Sequence, residues 1–165
     1  MVLDIVSISS IVAAAGVIVG VVLTVQELRH LHKQRQTDLL VRLAPWLNLE
    51  GSELQKAYVK VLNLEFKNGA DFVKKYGPVI AEKPEQMAII TLGNYFESIG
   101  TLVKRKLLDV DLPWDYWGET FITLWEEKIK PIAEIAKKEY NQETDNTEYL
   151  YNEMKKKEQQ LAKTQ

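Results

Sequence analysis

The residues that could do chemistry are few: two histidines, no cysteine, and short groups of polar and aromatic side chains at helical spacing. Without cysteine there is no thiolate for zinc, no iron-sulfur cluster, no thiol nucleophile and no disulfide framework. His30 and His32 lie two apart in a segment of helical pattern. At 3.6 residues per turn they point about 200 degrees apart, too far to share one metal ion. They read as interfacial residues in a basic collar. No glycine-rich phosphate loop, nucleophile elbow or Ser/His/Asp signature is present. The expectation is therefore no catalytic residue, no cofactor and no metal.

Two groups remain. Asn94, Glu97 and Thr101 stand at i, i+3 and i+7 on one predicted helix, flanked by Gly93 and Gly100. Those glycines invite close helix packing, which would make Asn94 and Glu97 hydrogen-bonding groups that fix the packing, costly unless satisfied. The alternative is a ligand or partner site. Trp114, Trp117 and Trp125, with Phe121, form an aromatic stripe that reads first as core and otherwise as a partner groove, where Trp supplies large contact area.

The elements that must position these groups begin with an apolar segment. From Ile5 to Val25 there are 21 residues without a charge, of which 12 are Ile, Val or Leu. As a helix rising about 1.5 Å per residue it spans roughly 30 Å, the hydrocarbon thickness of a bilayer. A mean hydropathy of -0.19 conceals this, because it averages two unlike parts of the chain. A cleaved signal peptide competes, and Ala13, Ala14 and Ala15 offer a cleavage point. Yet the start carries Asp4 rather than a basic residue, and the apolar run continues ten positions past Ala15. The reading is a single-pass anchor. Arg29, Lys33 and Arg35 follow it, so the amino terminus is placed outside and the remainder in the cytoplasm, with these three side chains meeting lipid headgroups. Gly16, Gly20 and Thr24 form a small-residue stripe suited to contact with a second copy or with another membrane protein.

The helical pattern runs on to about Leu43, where Pro45 ends it, and this extension acts as a stalk. Further helices are expected from Ser52, whose spacing to Gln55 is that of a capping box, from about Gly69 to Tyr76 before Gly77 and Pro78, and from Pro84 through the central segment. A tryptophan-bearing helix follows Asp111 and is kinked or interrupted at Pro131. A last amphipathic piece covers Thr147 to Met154. The fold class is all-α: a single N-terminal transmembrane helix (about 5–25) continuing as a stalk through residues 1–43, then a small cytoplasmic helical bundle over 44–154. The polar tail over 155–165 is expected to be disordered. A chain of 165 residues with 21 Lys+Arg against 23 Asp+Glu lacks the basic face that nucleic-acid binding needs.

The segments LRHLHKQR, VLNLEF, NYFESIGTLVKRKLLDVDL and WGETFITLWEEKIKPI together resemble an uncharacterised prokaryotic family, described only as a domain of unknown function. That resemblance implies a membrane helix, a basic stalk and a helical domain, and it supplies no catalytic residue. The expected function is a membrane-tethered helical interaction module, an accessory or regulatory subunit of a larger membrane assembly. The alternative is a membrane-anchored small-ligand sensor or enzyme, its pocket between the central helix and the tryptophan helix.

Overall fold

The computed structural model describes residues 5–43, 52–80 and 82–163, with side chains described for 16–39, 41, 52–80 and 82–163. Every described element is helical: α1 (Ile5–Leu43), α2 (Glu53–Leu62), α3 (Gly69–Tyr76), α4 (Pro84–Lys104), α5 (Asp111–Leu124), a π-helical turn (Trp125–Ile129), α6 (Lys130–Tyr140) and α7 (Asp145–Ala162). The chain divides into two compact units, residues 1–38 and 39–165, so the boundary falls inside α1, a little before the expected residue 43.

In the first unit α1 is unbroken, and its described apolar side chains are exposed from Val17 to Val25. Among the described residues no helix is long and apolar enough to cross a membrane. The described part of the apolar run covers ten positions, from Gly16 to Val25, before Gln26, Glu27 and Arg29. The side chains of residues 5–15, the first half of the expected span, lie outside the described residues, as does Pro45.

The second unit is built around α4. Pro84 opens this helix at its first turn, and its residues Leu92, Phe96 and Ile99 are buried to within 1%. It packs against α2 on one side and α7 on another, while α5 packs on α7 and α3 on α6. Phe96 and Phe121 meet with ring centroids 4.6 Å apart, and Trp117 stands edge-on to Phe96 at 6.3 Å. Val61, Phe72, Leu108, Ile132, Leu150 and Met154 are buried to the same degree. Each such side chain contributes roughly 1.5 to 3 kcal/mol relative to exposure.

The helix ends follow from local chemistry. Ser52 Oγ accepts from the Gln55 amide at 3.2 Å. At α3 the Asn68 side chain accepts from the Asp71 amide at 2.9 Å, the N-cap bond, and the Asp71 carboxylate accepts from the Lys67 amide, one residue before the cap, at 3.0 Å. Gly77 closes α3 with φ 96°.

Two features of the tryptophan helix differ from a plain helix with one kink. Gly118 has φ 30° and ψ -120°, a break inside α5 that an L side chain rarely adopts. Ahead of Pro131 the chain widens into the π turn, with the Lys130 amide bonding back to the Trp125 carbonyl. Proline removes a donor and crowds the carbonyl four residues back, and the wider turn relieves that crowding.

The tail expected to be disordered from residue 155 is helical to Ala162. Leu150 and Met154 are fully buried and anchor α7, and the three lysines that follow are engaged. Lys155 meets Glu158 at 2.9 Å and Lys156 meets Glu153 at 2.7 Å, while Lys157 reaches Asp111 of α5 at 2.7 Å.

Candidate functional site

Glu97 occupies the centre of the polar group on α4. Helix α7 begins without a side-chain cap of its own, since Thr144 at its N-cap makes no capping hydrogen bond. The carboxylate of Glu97 serves instead. One oxygen accepts from the Asn146 amide at 3.2 Å and from Asn146 Nδ2 at 2.6 Å. The other accepts from the Thr147 amide at 2.9 Å and from Thr147 Oγ1 at 2.8 Å. A helix leaves its first N–H groups without partners and carries partial positive charge there, so a carboxylate delivered from a neighbouring helix satisfies both demands. Four donors fill the acceptor positions of the carboxylate.

Gly100, one turn further along α4, makes this possible. A Cβ built there would run into the Asn146 carbonyl, so only glycine lets the backbone of α7 come this close. Glu97, half-buried, and Gly100 together fix where α7 meets α4. Thr101 is half-buried, and its hydroxyl donates to the Glu97 carbonyl at 2.8 Å within the same helix.

Asn94 separates from the other two. It is exposed and lies with Gly93 and Glu97 along a cleft of about 330 Å³ between α4, the start of α6 and the loop over 142–144. The tryptophans do not line it. Trp117 is 6% and Trp125 3% exposed, both in the core, and Trp114 packs against that core half-buried. The described cleft therefore lies beside the segment after the π turn, one element beyond the expected tryptophan helix.

Lys128 and Glu126 both reach partners outside their own helix. Lys128 Nζ donates to the Leu64 carbonyl at 2.7 Å and sits 5.6 Å over the Phe66 ring, holding the VLNLEF segment against the π turn. The Tyr151 hydroxyl donates to Glu126 at 2.6 Å, and this bond holds the Glu126 carboxyl below its ordinary range, with Lys155 nearby at 3.5 Å. Sequence spacing within one helix carries no sign of such partners, because Tyr151 and Leu64 lie 25 and 64 residues away.

On α1 the small-residue stripe is open. Nothing stands within 4 Å of a Cβ built on Gly16 or Gly20, and Thr24 Oγ1 donates to the Gly20 carbonyl at 2.8 Å. Arg29, Lys33 and Arg35 are exposed. His30 bonds Gln34 at 3.0 Å and His32 bonds Gln36 at 2.7 Å, each one turn along its own face. Glu27 and His30 have a spacing used in carboxylate-bridged metal sites, but among the described residues no group of three or more His, Asp or Glu side chains could hold a metal ion.

The described residues thus form an all-α domain built on one central helix, with a long helix before it in the chain. The chain belongs to the DUF4760 family, a domain of unknown function, whose match covers residues 10–154. No curated protein and no solved structure matches the chain.

Proposed function

We propose that this protein is a membrane-tethered helical interaction module. In this reading residues 5–25 of α1 cross the cell membrane once with the amino terminus outside. The helical domain then works on the cytoplasmic side as an accessory or regulatory subunit of a larger membrane assembly. The observation that carries the reading is the exposure of Val17, Ile18, Val19, Val21, Val22, Leu23 and Val25, between 42% and 67% each, distributed around a single helix. Leaving seven aliphatic side chains in water forgoes on the order of 1 kcal/mol each, a sum comparable to the whole stability of a domain. A bilayer removes that surface from water, and the uncharged run extends back from Gly16 to Ile5.

The flanks support an orientation. Arg29, Lys33 and Arg35 follow the apolar run and only Asp4 precedes it. Basic residues stay on the cytoplasmic side, where each contributes roughly 1 kcal/mol against anionic headgroups. Within the bilayer the open stripe of Gly16, Gly20 and Thr24 offers a contact to a second copy or to another membrane protein's helix.

Carbonate extraction tests the tether: the full-length protein should stay with the membrane pellet, and recovery in the soluble fraction overturns the reading. Purification in mild detergent with mass spectrometry then tests the assembly, where stoichiometric membrane-protein companions are expected. A second reading, a membrane-anchored ligand sensor, draws on the cleft beside Asn94.

A further inference from the structure

Helix α4 carries one glycine that its packing requires and one that it does not. Gly100 admits the Asn146 carbonyl. Gly93, two turns earlier on the same helix, has nothing within 4 Å of the position a Cβ would take. Glycine is a poorer former of helix interiors than alanine, so a mid-helix glycine facing open space weakens α4 without a compensating contact. The open space is the cleft of about 330 Å³. It is lined by Ile89 and Ile90 of α4 and by Ile132 with the small Ala133 and Ala136 of α6, and the exposed Asn94 and Glu143 also line it.

We propose that this cleft binds a small molecule with a compact hydrocarbon body and a primary ammonium head. The volume is below that of one turn of helix, which at 10–12 Å across and 5.4 Å long fills roughly 400 to 600 Å³, and so suits a small molecule better than a partner helix. The volume stands at the small end of ligand pockets, which run from roughly 300 to 1,000 Å³. Charge selects the head. Two carboxylates, Glu97 and Glu143, are among the lining residues and no Lys or Arg is. The oxygens of Glu97 are committed to Asn146 and Thr147, so it contributes a negative field, while the exposed Glu143 is free to pair with the ammonium. The Asn94 amide oxygen adds an acceptor for its remaining protons. The body then lies over Gly93 against the isoleucines. This inference is independent of the tether.

The test uses the full-length protein with ¹³C-labelled isoleucine methyls, held in phosphatidylcholine nanodiscs or, if it does not partition into them, in buffer. Phenethylamine is the probe, with 2-phenylethanol and 3-phenylpropionate as its neutral and anionic counterparts. Phenethylamine should shift the methyls of Ile89, Ile90 and Ile132 saturably, with at least tenfold tighter binding than the alcohol and none by the acid. Glu143→Gln should bring the amine down to the affinity of the alcohol and leave the alcohol unchanged. Gly93→Leu should abolish binding of both while the helical circular dichroism and melting are retained. The proposal is overturned if no saturable shift occurs, if the alcohol or acid binds as well as the amine, or if Glu143→Gln leaves the amine preference intact. The Glu143 variant decides the matter even if Gly93→Leu fails to fold, since Glu143 is an exposed loop residue.

Discussion

The two longest helices of this protein are both apolar, and they meet opposite fates. In α1 the described valines, isoleucine and leucine between residues 17 and 25 are all exposed, whereas α4 buries Ala88, Ile89, Leu92, Phe96, Ile99 and Val103 against its neighbours. Composition alone does not separate them. What separates them is that α4 carries polar residues that are satisfied only by particular partners, and the described part of α1 carries none until Gln26. Glu97 demands four donors and finds them on α7. The polar side chains described early in α1 are satisfied internally, as Thr24 is by the Gly20 carbonyl. A helix with specific polar demands is placed by its own chain, and one without them is free to take its environment from outside.

The largest loss of stability is expected where α4 is deprived of its close approach to α7. Gly100→Ala puts a methyl group where the Asn146 carbonyl stands, and a backbone atom cannot rotate away as a side-chain tip can. Overpacking of that kind costs about 2 to 4 kcal/mol, and chemical denaturation followed by circular dichroism should show it. A wild-type midpoint would mean that α4 and α7 separate freely.

Removing the polar demand comes next. Glu97→Ala leaves the amides of Asn146 and Thr147 and the buried Thr147 hydroxyl without an acceptor, and should destabilise the domain by about 2 to 3 kcal/mol. Glu97→Gln keeps one acceptor oxygen but turns an amide N–H₂ toward donors, so roughly half that loss is expected. Urea melts of the pair decide it, and two wild-type curves would show that α7 caps itself.

Gly93→Ala sharpens the contrast in the other direction. It should raise stability by about 0.5 to 1 kcal/mol, because alanine is the better helix former and its methyl meets open space. The same substitution therefore has opposite signs at two glycines of one helix. Equal signs in thermal melts would remove the distinction on which the cleft argument rests.

Much of this arrangement was legible in the sequence where the cause is local. Ser52, Pro84 and the pair Gly77 and Pro78 mark helix ends through atoms within four residues of themselves, and all three boundaries fall where expected. The glycines around Asn94 and Glu97 were expected to admit close packing, which Gly100 does and Gly93 does not. The partners of Glu97 were not legible, since Asn146 and Thr147 lie 49 and 50 residues away. Nor was the break at Gly118, since a lone glycine inside a helical pattern weakens the helix without signalling a positive φ. Of the lysines after Met154, Lys155 and Lys156 pair with Glu158 and Glu153 one turn away in α7, while the partner of Lys157, Asp111, becomes visible only once α7 is folded onto α5.

A smaller effect follows from pH. Glu126 titrates below its ordinary value of 4.5, chiefly because the Tyr151 hydroxyl donates to its carboxylate. A carboxyl depressed in the folded state adds stability above the unfolded value and loses it as pH falls below about 4.5 through the folded value. With the side chain 45% exposed, solvent screening holds the contribution under about 1 kcal/mol. The difference in stability between wild type and Glu126→Gln should shrink between pH 6 and pH 3, and a constant difference would remove the Tyr151 bond as its cause.

The smallest expected change in the domain comes from α1, where the comparison can be tested from the other side. Replacing both Gly16 and Gly20 with Ile keeps the segment apolar and, with nothing within 4 Å of either Cβ position, creates no clash within the chain. The melting of the second unit should therefore be unchanged within about 0.5 kcal/mol, as for surface substitutions generally. Association is another matter. Between helices in lipid the hydrophobic effect gives no preference, so attraction depends on backbones approaching closely over small residues, and two isoleucines fill that groove. Crosslinking of the full-length protein in native membranes should lose its dimer or heteromer band in the double variant while the wild type retains it. A band of undiminished strength means that α1 meets its partner on a different face, and a shifted domain melt means that α1 is not independent of the fold that follows it.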